Sequence, residues 1–496
     1  MATVEINGAA HDCETGLRLS DVLALWGEVR FPCGGHGRCG KCRVTVKGAV
    51  SPVTQEERQL LSAQELAEGV RLACRTYLEG DCQITTETAA KAHVLGSSAP
   101  LSATHPLCKA YGVAVDVGTT TLAANLYASD GSLLAQAACV NPQATWGSDV
   151  ISRIGAALEG HARALAQKVR QGIDGLLKEM ASQAGIPVEA VDAMVITGNT
   201  AMLYLLTQTD PDCLSHGPFQ ADRLFGERLT GAQLELSCPQ AQVYLPRCFG
   251  AFVGADIATA LLSSGITQEK GTRLLADIGT NGEIALWDRG ELLCCSTAAG
   301  PAFEGAGLSM GMPSLDGAID HVAVEDGVLK AHVLGEGKAV GICGSGVVDA
   351  LAGLLELEQM DETGLLDPQP AVIRDDVVLT QKDIRAVQLA KSAIAAGILT
   401  LVATRGLSLS QVDELAIAGG FGSYLDVRSA GCIGLIPQEL ASRVRVLGNA
   451  ALRGAAMLLL DQTLIEPCEE WTRQAKLVEL MASPQFTQAY TECMFF

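Results

Sequence analysis

Four cysteines near the start of the chain have the spacing of a metal-binding set. Cys33, Cys39 and Cys42 form a C-x5-C-x2-C pattern in a glycine-rich segment, and Cys74 follows after 31 intervening residues, 43–73. Four thiolates can hold the two irons and two sulfides of a 2Fe-2S cluster. The glycines suit such a site, because a loop that wraps a cluster must bring backbone N–H groups close to its sulfurs.

Other chemistries of these cysteines stay open on the residues alone. A four-cysteine zinc site usually has two C-x2-C arms, and only Cys39 and Cys42 form one. A redox-active C-x-x-C pair would explain the same two residues but not the glycine loop. Cys82, eight positions after Cys74, is an alternative fourth ligand. We interpret His36 as a loop residue, because a Rieske-type site needs two histidines.

The cysteine loop resembles that of plant-type ferredoxins, with one extra residue in the first gap. The resemblance covers about residues 1–88 and implies an α+β, β-grasp ferredoxin domain that carries a 2Fe-2S cluster. The loop-like context Arg71-Leu-Ala-Cys74 matches the ferredoxin pattern. The resemblance therefore implies that the cluster ligands are Cys33, Cys39, Cys42 and Cys74.

Two turns further along the chain share the pattern Asp-x-Gly-Thr. Asp116 begins the turn 116–121 and Asp277 begins the turn 277–283, each after an apolar strand. Glycine lets the backbone approach a phosphate, which can accept hydrogen bonds from successive N–H groups and threonine hydroxyls. The aspartate can hold Mg²⁺ through water or orient an attacking water. One such turn is weak evidence, but two at matching positions could hold a nucleotide between them.

The elements that must position these turns repeat along the chain. The predicted strands are 112–117, 122–127 and 133–140 in the first copy and 274–278, 284–287 and 292–296 in the second. The two aspartates are 277 − 116 = 161 positions apart, so the repeat relates two domain-sized halves. Long helices are predicted at 160–183 and 383–404, and the spacing of Thr380 and Asp383 predicts a capping box at the start of the second. Near the start of the chain, Asn7-Gly8 predicts a tight hairpin turn. Strands mixed with long helices favour a duplicated α/β domain.

A third glycine turn ends the apolar strand in 416–423. A flat base and ribose could lie against the bare backbone of Gly419, Gly420 and Gly422, although an ordinary strand-to-helix turn has the same composition. Two segments rich in small residues, 197–202 and 448–455, could begin helices where the two halves cross.

These five segments, in this order, resemble the superfamily of acetate and sugar kinases, heat-shock chaperone ATPases and actin. The resemblance covers about residues 109–470 and implies an actin-like (ribonuclease-H-like) ATPase domain that binds ATP with Mg²⁺. It implies catalytic roles for Asp116 and Asp277. The nucleotide-binding residues it implies are Gly118, Thr119, Thr120, Gly279, Thr280, Asn281, Gly282, Gly419, Gly420 and Gly422.

Composition limits the function classes. The chain has 496 residues and a net charge of 35 − 56 = −21, and such an acidic surface repels nucleic acid and anionic lipid. No targeting segment is visible and the apolar stretch 391–405 is too short to span a bilayer, so we predict a cytoplasmic protein. The predicted division is a ferredoxin domain at 1–88, a linker at 89–108, and ATPase subdomains at 109–270 and 271–496.

The whole chain resembles the reductive activators of corrinoid proteins. The strings that carry this are Asn141-Pro-Gln, 147–154, 297–305 and 341–346; where related chains tend to have His after Gly-Asn-Thr, this one has Leu203-Tyr204. The resemblance implies ATP-dependent, one-electron reduction of cob(II)alamin to cob(I)alamin through the 2Fe-2S cluster. The implied partners are the corrinoid protein of a methyltransferase system and an upstream one-electron donor, and a homodimer is left open.

Three alternatives remain at this point. The chain could be an ATP-gated electron injector for another metalloenzyme, a redox-sensing ATP-binding regulator, or a small-molecule kinase with an accessory ferredoxin. The loops 297–305 and 341–346 could contact a partner or the nucleotide, and are equally typical of core turns.

Overall fold

The computed structural model describes residues 1–26, 29, 35, 37, 39–86, 100–419 and 425–496. The chain forms two compact units, one of Met1–Lys91 with Pro142–Lys168 and the other of Ala92–Asn141 with Val169–Phe496. Residues 89–99 of the predicted linker 89–108 lie outside the described part, and the predicted boundaries at 88, 108 and 270 stay predictions.

The first unit is built on a five-stranded mixed sheet. Its elements are β1 (Ala2–Ile6), β2 (Ala9–Cys13), α1 (Leu19–Trp26), β3 (Arg43–Val50), α2 (Gln55–Leu60), α3 (Ala63–Ala67), β4 (Val70–Leu72), β5 (Leu78–Thr85), α4 (Val150–Ala156) and the start of α5 (Ala162–Ala184). The strand order is β2-β1-β5-β3-β4, with β1 and β5 parallel. Asn7 and Gly8 join β1 to β2 with positive φ (48° and 90°), as a type I′ hairpin turn requires.

A buried ion pair anchors the segment that leads to Cys74. The fully buried Glu57 accepts hydrogen bonds from the Arg71 guanidinium (2.9 and 3.0 Å) and from the Leu72 N–H (3.0 Å). Burial opposes ionisation of Glu57, but Arg71 and the backbone donors outweigh it and lower the pKa to about 2. Strand β4 is therefore fixed by charge as well as by apolar packing.

The second unit contains two six-stranded sheets. Its strands are β6 (Tyr111–Val117), β7 (Thr121–Ala128), β8 (Leu133–Val140), β9 (Val191–Gly198), β10 (Glu227–Thr230), β11 (Gln242–Leu245), β12 (Thr272–Ile278), β13 (Gly282–Asp288), β14 (Glu291–Thr297), β15 (Ala318–Glu325), β16 (Val328–Val333), β17 (Gly341–Ile342), β18 (Ala371–Arg374), β19 (Val377–Leu379), β20 (Glu414–Ala418), β21 (Val444–Gly448) and β22 (Lys476–Leu477). Its helices are the rest of α5, α6 (Thr200–Thr207), α7 (Ala255–Ser264), α8 (Gly344–Glu356), α9 (Gln381–Thr404), α10 (Val427–Cys432), α11 (Ala450–Leu460), α12 (Ile465–Gln474) and α13 (Pro484–Glu492).

The two sheets have the same internal order, which confirms the predicted duplication. One runs β10-β11-β9-β6-β7-β8 and the other β21-β20-β12-β13-β14-β22. In each, a three-stranded antiparallel meander (β6 to β8, β12 to β14) pairs in parallel with a later strand, β9 or β20. Each predicted Asp-x-Gly-Thr turn joins the first two strands of one meander.

Helices α7 and α11 cross in a core that includes residues of both sheets. The crossing is close because Gly454 has no side chain: a Cβ there would lie 1.8 Å from the carbonyl oxygen of Thr259. The Ser263 hydroxyl also donates to the carbonyl of Ala450 (2.7 Å). The segment 448–455 therefore does begin a helix at the crossing of the two halves.

Helix α9 is the longest apolar helix of the second unit. Thr380 caps it with a capping box to Asp383, as the spacing predicts. Within the described residues, α9 alone is long and apolar enough to cross a membrane, but 78% of its apolar window is buried inside the fold. Its apolarity is thus explained by core packing.

Candidate functional site

Two of the predicted cluster ligands lie side by side. The Sγ atoms of Cys42 and Cys74 are 3.3 Å apart, and both side chains are buried. The Ala73 N–H donates to the carbonyl of Cys42 (2.9 Å), which holds the two strand ends together. The hydrogen bond that the Cys42 thiol donates to Cys74, together with burial, raises the pKa of Cys42 far above its usual range. Two such thiols ionise together when a positive metal centre lies against them, so the pair fits iron.

The other cysteines differ in position. Cys39 lies three residues before Cys42 and is partly exposed, while Cys33 lies outside the described residues. Cys82 lies within β5 in the core of the unit, where burial and the nearby Cys13 raise its pKa. The pairing of Cys42 with Cys74 therefore supports Cys74 over Cys82 as the fourth ligand.

The nucleotide-site predictions converge on one cleft in the second unit. Each turn is closed by its own backbone: the N–H of Gly118 donates to the carbonyl of Thr121 and that of Gly279 to Asn281, both at 3.0 Å. A Cβ at position 118 would lie 2.7 Å from the Thr121 oxygen, so this turn needs glycine. The predicted residues that line the cleft are Asp116, Gly118, Thr119, Thr120, Asp277, Gly279, Thr280, Asn281 and Gly419.

Gly419 closes one side of this cleft at the end of β20. Its φ is +100°, and a Cβ would lie 2.6 Å from the Ile278 carbonyl oxygen and 2.8 Å from a carboxylate oxygen of Asp277. The predicted nucleotide contacts Gly420 and Gly422 lie outside the described residues.

Gly282 does not line the cleft. It begins β13 and faces away from the cleft, because a Cβ there would meet the Thr297 hydroxyl (2.6 Å) and the Ile394 side chain of α9 (2.9 Å). This glycine serves the packing of the sheet on α9.

Two asparagines at helix starts connect the helices to the first turn. The Asn199 amide caps α6 and donates to the Thr119 hydroxyl (3.1 Å), and the Asn449 amide caps α11 and donates to the Asp116 carboxylate (2.9 Å). The residue predictions omitted both, although the repeated Gly-Asn-x-Ala at 198–201 and 448–451 signals them.

Five carboxylates surround the cleft. Besides the two predicted aspartates, they are Asp256 at the start of α7, Glu283 on β13, and Glu304 after β14. The Thr120 hydroxyl (2.5 Å) and the Thr280 hydroxyl (2.6 Å) both donate to the same oxygen of Glu304. In the part of the chain that the structure describes, no three His, Cys, Asp or Glu side chains are placed to ligate one metal ion. Carboxylates beside a phosphate position suit Mg²⁺, which is bound by one or two carboxylates together with water and substrate phosphate.

Burial raises the pKa of four of these acids, and repulsion between carboxylates adds to the shift of Asp256, Asp277 and Glu283. Burial raises the pKa of Asp116 to about 6. Burial and the charge of Asp116 raise that of Asp277 to about 7, and burial with the charges of Asp277 and Asp116 raises that of Asp256 to about 8. Burial raises the pKa of Glu283 well above its usual range. A bound cation would remove this repulsion.

Comparison with known proteins matches each part of the chain to a protein family model. Residues 3–79 match the 2Fe-2S iron-sulfur cluster binding domain, residues 111–269 the RACo middle region, and residues 271–496 the C-terminal ASKHA domain of RACo. The corrinoid activation enzyme RamQ of Eubacterium limosum is 35% identical over 412 residues, 77% of this chain and 69% of RamQ. The chain belongs to the RACo family of corrinoid activators.

Two further proteins match over most of the chain. A Co(II) methylated amine-specific corrinoid protein reductase of Methanosarcina barkeri is 25% identical over 76% of this chain and 75% of its own length. The solved structure of a reductive activator for corrinoid, iron-sulfur protein superposes with a TM-score of 0.73 and 26% identity, covering 100% of this chain and 98% of that one. The RACo assignment confirms the predicted fold: a 2Fe-2S ferredoxin domain followed by an actin-like ATPase domain.

Proposed function

We propose that this protein couples ATP to the one-electron reduction of a corrinoid protein, from cob(II)alamin to cob(I)alamin. The observation that carries the proposal is the presence in one RACo-family chain of a thiol pair suited to iron and a two-turn phosphate cleft. The corrinoid belongs to the partner and is the substrate. Because Co(II) gains one electron and no atom is transferred, the nucleotide acts through conformation and not as a phosphoryl donor.

We assign the iron ligands to Cys33, Cys39, Cys42 and Cys74. When bound, a 2Fe-2S cluster takes up and releases one electron at a time. Cys42 and Cys74 are buried and Cys39 is partly exposed, so the chain leaves one side of this site nearer to solvent. An electron can therefore enter and leave the site without unfolding of the core.

We assign the phosphates of ATP to the turns that begin at Asp116 and Asp277. N–H groups and hydroxyls of these turns donate to phosphate, while the two aspartates hold the hydrated Mg²⁺ or orient water. Gly419, Gly420 and Gly422 then lie against adenosine. Asn449 joins the first turn to α11, so a ligand at this turn acts on the helix that crosses α7.

Closure of the cleft supplies the free energy for an uphill reduction. For one electron, about 60 mV corresponds to about 1.4 kcal/mol. A closure that contributes about 5 kcal/mol therefore offsets about 200 mV. It can do so by stabilising the partner complex in which cobalt has lost an axial ligand, which raises the effective potential of the cobalt.

Several finer assignments belong to this proposal. The ferredoxin domain is 1–88, the linker is 89–108, and the ATPase subdomains are 109–270 and 271–496. The protein works in the cytoplasm. An upstream one-electron donor reduces its cluster. Neither nucleic acid nor membrane takes part, because the net charge of −21 disfavours both. Light scattering of the purified protein decides whether it is a homodimer.

The test mixes the full chain with a corrinoid protein in the cob(II) state, a one-electron reductant and ATP. We expect a cob(I) absorbance band that appears only with ATP, and two irons per chain. Cys39→Ser should lose iron and keep ATP binding, and Asp277→Ala should keep iron and lose the ATP dependence. Cys432→Ser, at an exposed cysteine of the second unit, is the matched control.

Other outcomes select the alternatives. Cob(I) formation that is equally fast without nucleotide contradicts the coupling. A phosphorylated metabolite indicates a kinase, and redox-dependent partner binding without turnover indicates a regulator.

A further inference from the structure

The carboxylate of Glu304 occupies the space between the two phosphate turns. One of its oxygens accepts the hydroxyl hydrogen bonds of Thr120 (2.5 Å) and Thr280 (2.6 Å), so it links the first turn to the second. Its other oxygen lies beside Gly279, where an added Cβ would meet it at 3.3 Å. These hydroxyls are the side-chain donors that the turns would offer to a phosphate.

A phosphate and this carboxylate cannot use the two hydroxyls together. A threonine hydroxyl has one proton to donate, and in this structure both protons go to Glu304. The carboxylate also repels anions, and its charge contributes to the raised pKa of Asp277. An incoming nucleotide therefore competes with Glu304 for the same donors.

The turn that carries Glu304 is short and has a glycine on each side. Glu304 ends the single 3-10 turn Pro301–Glu304, between Gly300 (φ +79°) and Gly305 (φ +73°). The half-buried side chain of Glu304 faces the cleft, so it can move away from the two threonine hydroxyls without unfolding of a helix or a strand. The segment 297–305, one of the strings that carries the family resemblance, thus ends at the phosphate position.

We propose that Glu304 holds the phosphate position of the nucleotide-free protein and is displaced when ATP binds. Glu304 is then a positioning residue. It links the two turns when no nucleotide is bound, and its displacement couples ATP binding to the loop 297–305. This inference rests on the nucleotide cleft of the proposed function and adds a competitor for that cleft.

The first test is the affinity of the full-length protein for ATP by titration calorimetry, with Mg²⁺ and with EDTA, in the absence of any corrinoid protein. Because two hydrogen bonds to a charged group no longer have to break, Glu304→Ala should bind ATP at least about tenfold more tightly. Glu304→Gln keeps the size of the side chain and loses its charge, so its affinity for ATP should lie between those of wild type and Glu304→Ala. Glu325→Gln, at an exposed carboxylate of β15, should equal wild type. Unchanged or weaker affinity in Glu304→Ala would overturn the proposal, and an affinity that is weaker only with Mg²⁺ would place Glu304 among the groups that hold the cation.

A double-mutant cycle with Thr120→Val keeps the proposal testable if one variant is unstable. In the wild type this change removes a phosphate donor and also one of the two hydrogen bonds that hold Glu304, whereas in Glu304→Ala it only removes the donor. The loss of ATP affinity from Thr120→Val should therefore be larger in the Glu304→Ala background. Equal losses in both backgrounds contradict the competition. If neither the wild type nor Glu304→Ala binds ATP, the proposed function fails as well, so the two failures are distinguishable.

Discussion

The acids of the cleft predict that the nucleotide-free protein loses stability as pH rises. The pKa of Asp277 is raised from its ordinary 3.8 to about 7. Below pH 3.8 this carboxyl is protonated in the native and unfolded states alike. Between pH 3.8 and 7 the unfolded chain releases the proton and the native protein keeps it, so the free energy of unfolding falls. At 1.36 kcal/mol per unit, the loss is about 4 kcal/mol above pH 7, of which about 3 kcal/mol occurs between pH 5 and 7.

Urea unfolding between pH 4.5 and 8.5 measures this loss. Asp277→Asn removes the charge, so we expect the variant to exceed wild type by only about 1 kcal/mol near pH 4.5 and by about 4 kcal/mol at pH 8. Asp326→Asn, in the exposed turn between β15 and β16, is the control and should keep the wild-type slope. MgATP should flatten the wild-type slope, because the cation lowers the pKa of the acids, and its binding at pH 6.5 should release protons. Equal slopes for wild type and Asp277→Asn would refute the reasoning.

Three shorter predictions follow from the packing. Gly454→Ala should cost about 1–3 kcal/mol of stability by overpacking the helix crossing and should slow ATP-coupled cob(I) formation; an unchanged melting temperature contradicts this. Cys74→Ser should abolish the iron content that Cys82→Ser retains, and the reverse result would exchange their roles. Glu57→Gln should destabilise the first unit by about 3–5 kcal/mol because it leaves the Arg71 charge buried, and equal urea midpoints for variant and wild type contradict the prediction. The wild-type unit should lose the contribution of Glu57 to stability as pH falls from about 4.5, where the carboxyl protonates in the unfolded chain, to about 2, where it protonates in the native protein.

The parts of the fold that could be predicted are those determined by residues close together in the sequence. The hairpin turn at Asn7-Gly8, the capping box at Thr380 and the strand 133–140 depend on residues within a few positions of one another, and the structure has all three. The duplication was visible because its signal, Asp-x-Gly-Thr after an apolar strand, is short and occurs twice. These features need no knowledge of which segments meet in space.

The rest of the site depends on contacts that short patterns do not contain. Glu304 meets Thr120 across 184 positions, and Asn449 meets Asp116 across 333. The sequence prediction therefore omitted Glu304, both asparagines and Asp256. Gly282 was included because it lies in the motif, but its packing partner, Ile394, belongs to a helix more than a hundred positions later. Motif membership indicates a turn and does not indicate which of its residues face the ligand.

The duplication itself gives a physical reason for nucleotide-driven closure. Asp116 and Asp277 end equivalent strands of the two sheets, so joining the halves brings two like charges to one cleft. Ionising Asp277 there costs about 4 kcal/mol by the linkage argument, first because the carboxyl is buried and then because of the charges of Asp116 and Glu304, and Mg²⁺ that arrives with the nucleotide offsets this cost. This is close to the roughly 5 kcal/mol that offsets about 200 mV for one electron. A cleft of paired acids can therefore turn cation and phosphate binding into a conformational free energy of several kcal/mol, without transfer of the phosphoryl group to cobalt.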